Sequence, residues 1–178
     1  MTYSSFIPLA VNEDDLTTPT ATKNATYALG GVYQFIDAAT PNVVKQFMYV
    51  KAHTTLTVYQ PYVIQPVNTS GAEWVSAAPA TLAGQVTVGI PQVAFTSGYF
   101  GFVQIWGVCT AKLANETHVA GDYLELLNAG TTLIVDGTSG STTYSPKSVA
   151  IQIGALSGAG TTTVNLFGGV RTSLISAS

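Results

Sequence analysis

Gln92 to Thr110 reads QVAFTSGYFGFVQIWGVCT. Two extended runs flank a turn. Val93 and Phe95 close the first run, Thr96-Ser97-Gly98 makes the turn, and Tyr99 to Thr110 forms the second. Gly98 lets the turn take a positive φ at little steric cost. Along the second run Phe100, Phe102, Gln104, Trp106 and Val108 share one face, and Gly101, Val103, Ile105, Gly107 and Cys109 share the other. Successive side chains of a strand point to opposite faces, and here both faces are mainly apolar. A central strand covered on both sides is therefore expected. It carries no catalytic motif.

Working outward, short strand patterns and turn signals alternate. Tyr27 to Asp37 is a strand pattern in which Gly30-Gly31 marks a bulge or close approach. A turn built on Pro41 follows. Val43 to Ala52 sets Lys45, Phe47, Tyr49 and Lys51 against Val44, Gln46, Met48 and Val50. Leu56 to Ile64 is a strand interrupted by Pro61, which favours an edge or bulge there. Glu73 to Val75 and Gln85 to Ile90 are shorter strands, separated by a loop from Pro79 to Gly84. After Thr110, Ala111 to Val119 is the one segment expected to form a helical turn. Tyr123 to Asn128 and Thr131 to Asp136 are strands around Ala129-Gly130. Ser148 to Leu156 and Thr161 to Phe167 read as a last hairpin, with Arg171 to Ser178 as a tail.

Frequent glycine turns and strand segments rich in Thr, Val, Tyr and Phe predict an all-β fold. The expectation is a sandwich or barrel, jelly-roll-like in one version, of short antiparallel strands. Residues 1–26 are expected to form an extended N-terminal arm, and 27–178 a single β domain. In the arm, Phe6, Ile7, Leu9 and Val11 make one apolar patch, followed by the acidic cluster Glu13-Asp14-Asp15.

The composition restricts function. The 178 residues are 47% hydrophobic but only 8% charged, against roughly 25% charged in an average soluble domain. Mean hydropathy is +0.33. The uncharged run from Trp74 to Ala111 is cut by Pro79, Gly84, Pro91 and Gly98. It therefore lacks the ~20 consecutive apolar residues of a spanning helix, and no membrane partner is expected. No Lys or Arg precedes Lys23, so no secretory signal is expected. The exterior must be built largely from neutral polar side chains, which shed water at lower cost than charged ones. That favours a surface covered in an assembly. A net charge of -3 gives no basic footprint for nucleic acid.

The candidate chemistry is sparse. Cys109 is the single cysteine and sits in the apolar strand, so it reads as a small buried hydrophobe. His118 has Glu116 and Asp122 nearby, but no spacing supplies a third metal ligand. Leu156-Ser157-Gly158 lacks the Gly-x-Ser-x-Gly elbow. Gly154 to Gly160 is not followed by the lysine of a phosphate loop. The three Asn-x-Ser/Thr triplets, at Asn24, Asn68 and Asn115, are chance matches if the chain is not secreted. No catalytic residue, metal or cofactor is assigned.

The order of motifs carries one resemblance. Phe47-Met48-Tyr49-Val50-Lys51-Ala52 leads to Gly89-Ile90-Pro91-Gln92-Val93-Ala94. Ser97-Gly98-Tyr99-Phe100-Gly101-Phe102-Val103-Gln104-Ile105-Trp106-Gly107 follows, and then Ala120-Gly121-Asp122. From Phe47 to Leu127 the chain resembles the small β-rich capsid decoration, or cement, proteins of tailed bacteriophages. The resemblance implies a non-enzymatic virion protein, made in the bacterial host cytoplasm and placed on the head exterior. Its implied partners are the major capsid protein and further copies of itself, as a homodimer or homotrimer. Phe6, Ile7 and Leu9 would then be contacts of the arm with capsid or a neighbouring subunit. Two other functions fit the composition: a tail-fibre or receptor-binding β module, and a small hydrolase with His118 as base.

Overall fold

A computed structural model describes residues 13–36, 43–67, 73–77, 85–126, 132–135, 148–168 and 171–172. Its strands are β1 (Val32–Ile36), β2 (Val44–Ala52), β3 (Tyr62–Val67), β4 (Glu73–Ala77) and β5 (Gln85–Gly89). β6 (Phe100–Leu113), β7 (Thr117–His118), β8 (Tyr123–Leu126) and β9 (Leu133–Val135) follow. The last are β10 (Ala150–Gln152), β11 (Leu156–Ser157), β12 (Gly160–Phe167) and β13 (Arg171–Thr172). A single short helix, α1 (Glu13–Thr17), stands among the described residues. The fold is all-β, as the sequence predicts, with a closed five-stranded barrel and further strands beside it.

β6 is a 14-residue strand that pairs with β2, β12 and β9 and links the two parts of the large sheet. Its second half closes a five-stranded barrel, in the order β6-β12-β10-β8-β9 and back to β6. β12 runs antiparallel to β6 from Gly160↔Leu113 to Phe167↔Trp106. The closing pair, Leu113↔Leu133, is parallel. The interior is lined by aliphatic side chains: Ala111, Leu113, Leu124, Leu133, Ala150 and Val164 all have zero exposure. Each buried leucine contributes about 1.5–3 kcal/mol of transfer free energy.

The first half of β6 belongs to a second set of strands. β2 pairs with it antiparallel, β4 joins β2 in parallel, and β3 and β5 follow. β5 runs into Ile90, which returns to β6 by two backbone bonds with Gln104, of 2.8 and 3.1 Å. Both sets of strands therefore lean on one strand. Met48, Val50, Leu56, Ile64, Phe95 and Val103 fill the interior on this side.

Between the halves β6 carries a bulge. Gln46 faces Trp106 while Phe47 faces Gln104, so Ile105 is the extra residue. Gly107 follows at φ 88°, and a Cβ there would lie 2.6 Å from the Val44 carbonyl oxygen. Only glycine adopts that conformation at so close an approach without cost. Coverage of both faces, expected along the whole strand, holds from Gly101 to Ile105. Beyond Gly107 the burial alternates, and Trp106 stands 36% exposed. One side of this half faces the barrel interior and the other faces out.

An aromatic layer covers the outer face of β2 and the first half of β6. Tyr27, Phe47, Tyr49 and Phe102 are buried in it, with Leu16, Tyr33 and Phe35 against them. Phe102 meets Tyr27 and Tyr33 edge-on, at centroid distances of 4.9 and 5.6 Å, geometries worth ~0.5–1.5 kcal/mol each beyond burial. The segment expected as an arm contributes here. Tyr27 donates its hydroxyl to Asp15 Oδ2 at 2.5 Å, and Thr20 pairs with Phe100 through two 2.8 Å backbone bonds. Asp14 and Asp15 lie in the first turn of α1, where the positive end of the helix dipole favours carboxylates.

Several local expectations are corrected. Ala111 to Val119 forms no helical turn: residues 111–113 extend β6, and Thr117–His118 form β7. Leu56 to Ile64 is not one strand. Leu56 bridges Phe95, the chain turns at Tyr59 (φ 65°), and β3 starts after Pro61, which has no N–H to give a ladder. Val93 to Phe95 accordingly pairs with Leu56 rather than with β6, and the connection into β6 spans Pro91 to Tyr99. The expected Thr96–Gly98 turn is present, with Tyr99 N donating to Thr96 O at 3.1 Å and Gly98 at φ 84°. In the expected first strand only Val32–Ile36 is extended; Tyr27 to Gly31 turns, with Gly31 N donating to Ala28 O. The final hairpin is present as β10 and β12, while β11 leaves it to pair with β7.

Candidate functional site

The buried polar side chains hold backbone together. Gln104 is 1% exposed and donates through Nε2 to the carbonyls of Trp106 (3.1 Å) and Val108 (3.0 Å), spanning the bulge. Gln92 acts as a surrogate strand residue: its Nε2 donates to Thr110 O at 3.1 Å, and its Oε1 accepts from Thr110 N at 3.3 Å. Tyr59 completes this edge, its N–H donated to Pro91 O and its carbonyl accepting from Lys112 N. These side chains satisfy β6 where no strand lies beside it. Sequence reading missed both glutamine roles. The available signal was an uncharged amide within an otherwise apolar strand.

His118 is buried, and its Nε2 lies 3.0 Å from Ala114 O. Glu116 Oε1 lies 3.9 Å from the same nitrogen, but accepts a closer bond, 2.7 Å, from Val135 N. His118 Nδ1 has no hydrogen-bond partner among the described residues. Asp122 Oδ2 accepts from Val119 N at 2.9 Å, which fixes the turn at Ala120-Gly121. The three residues singled out in the sequence thus each bond to backbone: His118 to Ala114, Asp122 to Val119, and Glu116 to Val135 of β9. Among the described residues no group of three His, Cys, Asp or Glu side chains could hold a metal. Cys109 is buried, and burial pushes its thiol from the ordinary 9.0 up to about 12, with Lys45 opposing.

The surface offers a different kind of site. From Ser148 to Gly168 the chain carries no charged residue. Within this stretch Ile153 is 47% exposed, and Ala155, Ser157, Ala159, Thr161 and Thr163 are exposed as well. β11 sets Ser157 opposite Thr117 of β7, and Val119, just past β7, is 39% exposed. β7 and β11 thus present mostly small and aliphatic side chains, with Glu116, exposed at the head of β7, as a charged group beside them. Such a surface can bury against a partner at low desolvation cost where it stays clear of that carboxylate. Phe6, Ile7 and Leu9, the contacts expected from sequence, lie outside the described residues.

No family model matches the chain, and no curated protein matches it in sequence. Among solved structures it is similar to the N base of the head fiber gp8.5 of bacteriophage phi29, with a TM-score of 0.45 and 12% identity. The match covers 67% of this chain and 92% of that one. No helix among the described residues is long and apolar enough to cross a membrane.

Proposed function

We propose that this chain is a structural virion protein of a tailed bacteriophage, a decoration protein on the outside of the head that bridges major capsid subunits. The observation that carries the reading is the scarcity of charge, 8% of the residues, together with Val119 and Ile153 exposed near β7 and β11. The motif order from Phe47 to Leu127 supports it. Two buried polar side chains bond to backbone carbonyls, His118 through Nε2 and Gln104 through its amide. A cementing role asks only for burial, at about 25 cal/mol per Å² of apolar surface, repeated at every copy around a shell.

The test is co-sedimentation of the purified protein with shells that lack it. Saturable binding at a copy number matching one class of symmetry axis is expected. A protein that stays in the supernatant at every concentration sinks the reading, and a free trimer in that supernatant points to a tail-fibre module. The arm is tested separately by removing residues 1–12, which spares the packed segment from Leu16 to Thr20. Loss of binding with an unchanged fold is expected; undiminished binding removes Phe6, Ile7 and Leu9 as contacts.

A further inference from the structure

β1 pairs with β2 along one edge, and among the described residues nothing pairs with its other edge. The parity of its backbone is fixed. Tyr49 N donates to Gly31 O at 3.0 Å, in line with the registers Tyr33↔Phe47 and Phe35↔Lys45. Alternate residues of an antiparallel strand direct their amides to opposite edges. Residues 33 and 35 therefore face β2, and the N–H and C=O groups of Val32, Gln34 and Ile36 point to the open edge. The side chains of these three residues are exposed, Val32 by 46% and Ile36 by 72%. Soluble proteins guard such edges with lysine, proline or a bulge, and Val-Tyr-Gln-Phe-Ile contains none of these.

We propose that β1 is a dimerisation edge, occupied by β1 of a second copy of this chain across a two-fold axis. The strand is self-complementary under that operation. Antiparallel pairing centred on Gln34 sets it against the partner's Gln34, Val32 against the partner's Ile36, and Tyr33 against the partner's Phe35. The open-edge groups then form three hydrogen-bonded pairs, about six bonds in all. No charge is buried, and the aliphatic side chains that now face water cover one another. In each copy Gln34 lies beside Gln46, and Gln46 beside Trp106, so a neutral row continues from the axis into the sheet. An isologous contact of this kind closes at two copies and does not propagate. The inference is independent of the capsid reading, since it is measured without shells.

The experiment is sedimentation of the full chain at tens of micromolar, alongside Gln34→Lys and Gln34→Cys. A dimer of twice the 18.5 kDa chain mass is expected. Gln34→Lys sets two ammonium groups opposite each other and is expected to weaken the dimer at least tenfold, with the circular dichroism unchanged. Gln34→Cys is expected to give a disulfide-linked dimer under mild oxidation, since paired Cα atoms ~5.5 Å apart suit the bond. The parent chain, with Cys109 buried, is the control that forms none. A monomer, a trimer, or a dimer indifferent to Gln34→Lys overturns the proposal.

Discussion

The two halves of β6 meet different neighbours and are built differently. From Gly101 to Ile105 the strand is covered on both faces, by the mixed cluster of Val103, Leu56, Ile64 and Phe95 on one side and the Tyr27–Phe102 aromatic layer on the other. From Gly107 to Leu113 it is covered on one face only, and its core partners are leucines, valines and alanines. One strand can serve both environments because the bulge at Ile105 and the left-handed Gly107 re-aim its faces between them. Where a chain changes partners, a single glycine conformation does what a loop would otherwise do.

The contrast can be broken most forcefully from the doubly covered half. Phe102→Ala removes a buried ring from between Tyr27, Tyr33 and Tyr49, and should cost ~3–5 kcal/mol in denaturant unfolding. A cost near 1 kcal/mol would mean the aromatic layer is loosely held. Gly107→Ala tests the joint itself. A methyl group at φ 88° meets the Val44 carbonyl, so a loss of about 2 kcal/mol or more is expected. Neutral behaviour there would mean that the halves are not hinged on Gly107. Tyr27→Phe deletes the hydroxyl that reaches Asp15 and should cost ~0.5–1.5 kcal/mol. An unchanged stability would show that α1 is held by Leu16 and the Thr20 pairing alone.

The smallest effect at neutral pH concerns Cys109 in the singly covered half. Its folded pKa, about 12, lies above the ordinary 9.0 because burial penalises the thiolate. The neutral thiol is the form the fold prefers, so the associated stability is intact below pH 9 and declines as pH rises from 9 toward 12. Tyr49, also raised by burial, acts in the same direction above its ordinary 10.0. Cys109→Ala should therefore flatten part of the alkaline decline and change little of its slope at pH 7. Rapid reaction of the native thiol with a disulfide reagent at pH 8 would contradict its burial.

Much of the architecture was legible from residue pattern. The mainly apolar run of β6, the strand character of β2 and the glycine-marked hairpin of β10 and β12 all follow from side-chain pattern and turn chemistry. What escaped depends on contacts distant in sequence. Ala111-Lys112-Leu113 has reasonable helix propensity, but Leu113 lies opposite both Gly160 and Leu133, and burial there decides for strand. Among the described residues the parallel closure of the barrel is made at Leu133, opposite Leu113 and bonded to Ala114 N, which no local signal announces. Leu56 looked continuous with Ile64 because both are apolar and buried; Tyr59 in a left-handed conformation separates them. For the candidate site, the low charge was readable from composition, whereas placing Val119 and Ile153 near β7 and β11 required the fold. The outward parity of β1 needed the register with β2.

Because β6 is shared, time enters the design. A ribosome delivers β2 to β5 before the strand they lean on, and β8 to β12 after it. Until residues 100–106 emerge, β2 has an unpaired long edge; until β12 arrives, the rest of β6 has one as well. Neither enclosure can finish from local contacts, which places the chain among slow folders governed by distant pairings. The chain then spends its most vulnerable moments in the interval between making β6 and capturing it with β12.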